Sequence, residues 1–161
     1  MAFSSLAEID AYMKTNKCEF WEAVIREEAR DSQQPEMDIV NRMTQMYRSM
    51  KEADEAYDDS LTSRSGLSGK NGKKMADYAA THKCMCGKFG GAVMARAIKM
   101  AESNACMKRI VAAPTAGSCG VVPAILITYE RMTNTSENDM VKALFVAAGI
   151  GDVIARRASI S

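Results

Sequence analysis

A single histidine, His82, is all the imidazole in this sequence of 161 residues. That scarcity excludes most His-rich metal sites and any catalytic triad that needs a second imidazole. Aromatic residues are scarce too, at 6%, while methionine is abundant at 13, a balance suited to a helical core filled by flexible side chains. No apolar run approaches the roughly 20 residues needed to span a bilayer. The opening MAFSSLAEID has no basic region leading into an apolar one, so no secretory signal is expected there. Charge of one sign is also missing: 21 basic residues face 20 acidic ones, which leaves no footprint for nucleic acid or an anionic membrane. A cytoplasmic protein with neither of those partners is expected. The five cysteines are odd in number and lack a secretory context, which predicts reduced thiols rather than a disulfide framework. The length fits one domain or part of a larger one.

The apolar spacing reads as all-α. Ser5-Leu6-Ala7-Glu8 is a capping box opening a short helix towards Lys14. A second helix is expected from about Glu19 to Ala29, with Phe20, Val24 and Ile25 on one face. Pro35 suits the first position of a third, longer helix. Its inward positions are Ile39, Val40, Met43, Met46, Tyr47, Met50 and Tyr57, and its acidic residues Glu52, Asp54, Glu55, Asp58 and Asp59 lie mostly on the solvated side. Further helices are expected at Lys74–Thr81, at Ala92–Met107 (inward stripe Val93, Ala97, Met100, Ala101, Ala105) and from about Cys119 to Met132. A Gly-interrupted turn spans Cys86–Gly91. A last helix, capped at Asn134–Ser136, carries Val141, Leu144, Phe145 and Ala148 inward. Alternating strand patterns are absent; a short extended piece is expected at most at Arg109–Ala113.

Two loops stand apart from this pattern. From Asp59 to Asn71 the sequence DSLTSRSGLSGKN is rich in Ser and Gly, about a dozen residues, which is long for a compact domain. Arg64 there is a candidate clamp for a carboxylate. The second loop lies within Arg109–Pro123, RIVAAPTAGSCGVVP. An apolar run stops at Pro114, a stretch of small and hydroxylated residues follows (Thr115 to Gly120), and a second apolar run begins. Gly117 and Gly120 carry no Cβ to hold a ligand off the backbone, and a helix starting there would favour an anion such as a carboxylate. The alternative is a tight turn between two core segments. Among the cysteines, Cys84, Cys86 and Cys106 are candidate zinc ligands, although a single residue between Cys84 and Cys86 is cramped. Cys119 reads either as a nucleophile at a helix start or as a buried structural thiol, the latter favoured because no activating base is near in sequence.

Together, Ser63-Arg64-Ser65-Gly66-Leu67-Ser68-Gly69, Asn104–Pro123 (NACMKRIVAAPTAGSCGVVP) and the closing Ala158-Ser159-Ile160-Ser161 resemble the α chain, or catalytic region, of the bacterial iron–sulfur L-serine dehydratases. The resemblance covers essentially the whole chain, most sharply from Leu61 onwards. It implies an all-helical fragment of a larger catalytic domain, residues 1–161 being its N-terminal part, and a lyase converting L-serine to pyruvate and ammonia in amino-acid degradation and gluconeogenesis. It also implies a 4Fe–4S cluster acting as Lewis acid on the substrate hydroxyl, a separate β chain as partner, and possible self-association through exposed apolar surface. Carried over to this sequence, Thr115, Ala116, Gly117 and Ser118 contact the serine carboxylate, and Ser63, Ser65 and Gly66 line the opposite wall. No catalytic base is assigned. The resemblance puts the cluster cysteines beyond Ser161, so no residue here is expected to bind the metal and the chain alone is expected to be inactive. One departure is Lys70, where the family tends to have a second glycine. The rival expectation is a non-catalytic helical module that binds a partner or a zinc ion.

Overall fold

The computed structural model describes residues 3–81 and 84–158, and these contain seven helices and no strand. The all-α expectation holds. They fall into two compact units, 1–45 with 137–161 and 46–136.

The first unit holds α1 (Leu6–Asn16), α2 (Phe20–Ser32), the start of α3 (Glu36–Glu55) and α7 (Glu137–Arg157). The Ser5 hydroxyl accepts the Glu8 N–H and so caps α1. The reciprocal arm of the box is shifted by one residue, because the Glu8 carboxylate takes the N–H and hydroxyl of Ser4. Phe3, Ile9, Ala23 and Val153 form the buried cluster, with Phe20, Tyr12 and Met13 packed around it. Gly149 lets α7 approach α2 closely: a Cβ there would lie 2.6 Å from a Val24 methyl and 2.9 Å from the Phe20 ring. Arg157 donates to the Ser4 carbonyl at 2.8 Å.

The second unit holds the rest of α3, α4 (Asn71–Ala80), α5 (Gly87–Ala105) and α6 (Val121–Thr133). Helices α4 and α5 pack antiparallel on small residues, Gly72 against Lys99 at one end and Gly91 against Ala79 at the other. That contact corrects the expected turn at Cys86–Gly91: the helix runs through Gly90 and Gly91 from Gly87, since helix-to-helix approach needs small side chains there. Buried Tyr47, Met50, Met100, Ile127 and Thr128 supply much of the interior.

Other expectations need correction as well. On α5, Ala101 and Ala105 are exposed whereas Glu102 and Ser103 are buried. On α3, Asp54 is buried rather than solvated, Met46 is 40% exposed, and Tyr57 lies past the end of the helix. Arg109–Ala113 is irregular and forms no strand pair.

Candidate substrate site

The two hydroxyl-rich loops belong to the second unit, and each closes on itself. In the first, Ser63 N–H donates to the Ser68 carbonyl at 2.7 Å and Gly66 N–H to the Ser63 carbonyl at 2.8 Å. The Ser63 hydroxyl accepts the Ser68 N–H at 3.1 Å and lies 3.1 Å from the Ser65 hydroxyl. Ser65 and Gly66 are exposed and Ser63 half-buried, so the expected wall residues form one accessible turn. Arg64 is exposed at the same turn. Gly69 is bound by its surroundings: at φ +147° its Cβ would fall 2.5 Å from the Leu61 carbonyl oxygen.

Lys70 follows at φ +67°, a left-handed conformation that glycine adopts without penalty and other L-residues do not. A glycine here would meet this conformation without strain, whereas Lys70 does not. Lys70→Gly should leave stability within about 1 kcal/mol of the parent or raise it, strain relief offsetting chain entropy. Lys70→Val should lower it by about 1–2 kcal/mol, because a β-branched residue is poorly tolerated at positive φ; urea denaturation of both variants measures the difference.

In the second loop the Thr115 and Ser118 hydroxyls lie 2.8 Å apart, and Ser118 N–H is 3.2 Å from both the hydroxyl and the carbonyl oxygen of Thr115. Thr115, Ala116 and Gly117 are exposed, and Ser118 is half-buried at the approach to α6. The peptide bond between Ala113 and Pro114 is cis. The two glycines singled out for backbone approach divide in role. Gly117 is open, with only the Thr115 hydroxyl 3.9 Å from a would-be Cβ. Gly120 faces protein, its Cβ falling 2.6 Å from the Ala97 carbonyl oxygen. Gly120 therefore serves the packing of α6 on α5 rather than a ligand.

Two residues of α5, missed by the sequence reading, fasten both loops. Glu102 is 4% exposed. Its carboxylate accepts the Asn71 N–H at 2.7 Å, the Gly72 N–H at 3.0 Å and the Tyr57 hydroxyl at 2.8 Å. Asn71 and Gly72 open α4, whose own N-cap, Lys70, supplies no side-chain bond. A carboxylate from another helix thus does the capping and meets the positive end of the α4 dipole. This is why α4 starts at Asn71 rather than at the expected Lys74. Burial pushes the Glu102 carboxyl up, but the bonds from Tyr57, Gly72 and Asn71 together outweigh it and hold the group below its ordinary value. Burial and the Glu102 bond push the Tyr57 phenol up to about 12. Two residues along α5, the Asn104 side chain donates to the Ala116 carbonyl at 2.9 Å. One turn of α5 therefore holds the end of the first loop and the middle of the second. Among the described residues no hydrogen bond runs directly from one loop to the other.

Among the described residues no three of His, Cys, Asp and Glu are placed to hold an ion; His82, like Ser159 to Ser161, lies outside those residues. Cys119 is 2% exposed, with its sulfur 4.0 Å from the Met100 carbonyl oxygen. Burial pushes its thiol up, away from the reactive thiolate form. These cysteines do not fit a 4Fe–4S cluster, and none is given a role in holding one. Cys86, which is exposed, should be alkylated by iodoacetamide at least tenfold faster than Cys119; peptide mapping over time measures the ratio, and equal rates would contradict the burial of Cys119.

The fold and site define a helical scaffold presenting two hydroxyl-rich turns from the end of one helix. Residues 15–161 match the family described as serine dehydratase alpha chain, and the chain belongs to that family. It is 30% identical to the probable L-serine dehydratase, alpha chain, of Bacillus subtilis (strain 168) over 159 residues, covering 99% of this chain and 53% of that protein. It is 38% identical to the L-serine dehydratase, alpha chain, of Peptoniphilus asaccharolyticus over 87 residues, 54% of this chain and 30% of that protein. Over 66 residues it is 42% identical to L-serine dehydratase 1 of Escherichia coli (strain K12), 40% of this chain and 14% of that protein. The chain thus spans about half the length of the Bacillus relative and less of the other two. No solved structure matches it. No helix among the described residues is long and apolar enough to cross a membrane.

Proposed function

We propose that this chain supplies substrate-binding loops of an L-serine dehydratase, the lyase that converts L-serine to pyruvate and ammonia. The observation that carries the reading is the family match over residues 15–161, which takes in both loops and the α5 turn that anchors them. In this reading the Thr115 and Ser118 hydroxyls and the backbone of Ala116 and Gly117 bind the serine carboxylate, exchanging their mutual bond for bonds to substrate. Ser63, Ser65 and Gly66 form the opposite wall. Each set is already turned upon itself, so binding needs a local exchange of hydrogen bonds rather than a refolding of the loop. The exposure of Thr115 to Gly117 leaves room for a ligand to approach.

The 4Fe–4S cluster implied by the family resemblance finds no ligand set among these residues, so we assign its ligands to sequence other than residues 1–161. We read those residues as the N-terminal part of the α-chain catalytic domain, a cytoplasmic protein that works with a serine dehydratase β chain and is inactive alone. The test is pyruvate formation from L-serine after anaerobic reconstitution with iron and sulfide, in the presence of the β chain. The 161-residue chain should be silent, and a longer version carrying the further cysteines active. Activity in neither would overturn the assignment.

A further inference from the structure

A groove of about 370 Å³ opens in the second unit along α5, and none of its lining residues belongs to either hydroxyl-rich loop. Its walls are alanines of α4 and α5, such as Ala76, Ala79, Ala92 and Ala95, which give space but no hydrogen bonds. Four cations line it against two carboxylates: Lys88, Arg96, Lys99 and Arg131 against Asp54 and Glu55.

The charges do not cancel within the groove. Arg96 donates through Nε to Asp54 at 2.8 Å and through Nη1 to the Thr128 hydroxyl at 2.5 Å. Arg131 lies 3.4 Å from Asp54 and 3.2 Å from Glu55. Two guanidiniums are thus matched by two carboxylates and held in place by them. Among the described residues neither Lys99 nor Lys88 is paired with a carboxylate, and the Lys99 ammonium lies 5.3 Å from the centre of the Tyr57 ring. These two lysines stand three turns apart on one face of α5, spanning roughly 16 Å of helix axis, with Ala92, Ala95 and Arg96 between them. A cleft with uncompensated charge of one sign at both ends and apolar walls between concentrates ions of the opposite sign.

We propose that this groove binds a small polyvalent anion, held by the fixed Arg96 guanidinium and by the flexible Lys88 and Lys99 side chains reaching in towards it from either end. Recognition is by charge at separated points, because the alanine walls offer no polar groups. This favours a ligand with two or more negative charges, whether phosphate or carboxylate, over a single carboxylate such as that of serine. The site is independent of the proposed lyase reaction.

Isothermal titration of pyrophosphate and of citrate into the 161-residue chain, each against sodium chloride of matched ionic strength, tests it. Saturable binding of at least one anion beyond the chloride control is expected, and the tighter of the two identifies the phosphate or the carboxylate source. The double variant Lys88→Gln, Lys99→Gln should bind at least tenfold more weakly, with an unchanged far-ultraviolet circular dichroism spectrum. Glutamine keeps the Lys99 stem, whose Cγ packs beside Gly72. Heats no larger than those of chloride, or a double variant that binds as well as the parent, would overturn the proposal.

Discussion

Glu102→Ala should destabilise the second unit by about 4 kcal/mol, because it strips a buried carboxylate from two helix-opening N–H groups and a phenol at once. At about 2–4 °C per kcal/mol for a chain of this size, the melting temperature should fall by roughly 10 °C. Glu102→Gln should lose at least about 2 kcal/mol, since its single carbonyl oxygen cannot serve three donors and its amide turns a donor towards one of them. Tyr57→Phe removes one bond of three and should lose about 1.5 kcal/mol. The same cluster sets a pH signature. The Glu102 carboxyl is held below its ordinary value of 4.5, so its contribution is present above that pH and is lost as pH falls through the depressed value. The Tyr57 phenol is raised from 10.0 to about 12, so its contribution is complete below pH 10 and disappears as pH rises through about 12. The alkaline part of this dependence should be missing in Tyr57→Phe, and chemical denaturation across pH resolves it. A Glu102→Ala variant within 1 kcal/mol of the parent would mean that α4 is not capped by this carboxylate.

The second large effect is expected at Gly120. A Cβ there lies 2.6 Å from the Ala97 carbonyl oxygen and 3.2 Å from the Ala97 Cα. Both are backbone atoms, so relief comes only by moving α6 away from α5. Gly120→Ala should lose about 2–3 kcal/mol and displace the Thr115–Ser118 turn that leads into α6. Gly117→Ala is the contrasting case: with nothing nearer than 3.9 Å, it should change stability by less than about 0.5 kcal/mol. If Gly117 faces bound serine, that variant should still raise KM in the assembled enzyme. Equal stability losses at the two positions would contradict the division of roles between them.

Local features of this fold were legible in the sequence, and non-local ones were not. Ser5 reads as an N-cap and is one, because a cap is a contact over three residues. The inward faces of α2 and α7 follow from apolar spacing, and Val24, Val141, Leu144 and Phe145 are buried as that spacing requires. Apolar spacing places Asp54 on the solvated side of α3 and assigns Glu102 no role, because their partners are remote: Arg96 on α5 and Arg131 on α6 for the first, the start of α4 for the second. A carboxylate is buried only when such partners arrive in the fold, and spacing along its own helix cannot reveal them. The sole available signal is that Glu102 is the one acidic residue of α5. The expected turn at Gly91 fails for a related reason, since its smallness serves contact with Ala79. The candidate loops themselves were legible through composition, as runs of Ser, Thr and Gly. Their common attachment through Glu102 and Asn104 needed coordinates.

The most direct test of the account is the serine dependence of pyruvate formation by the assembled enzyme carrying Thr115→Ala with Ser118→Ala, or Ser63→Ala with Ser65→Ala. Each pair should raise KM for L-serine at least tenfold, with the fold retained by circular dichroism. An unchanged KM in both would show that the two loops are not the substrate site.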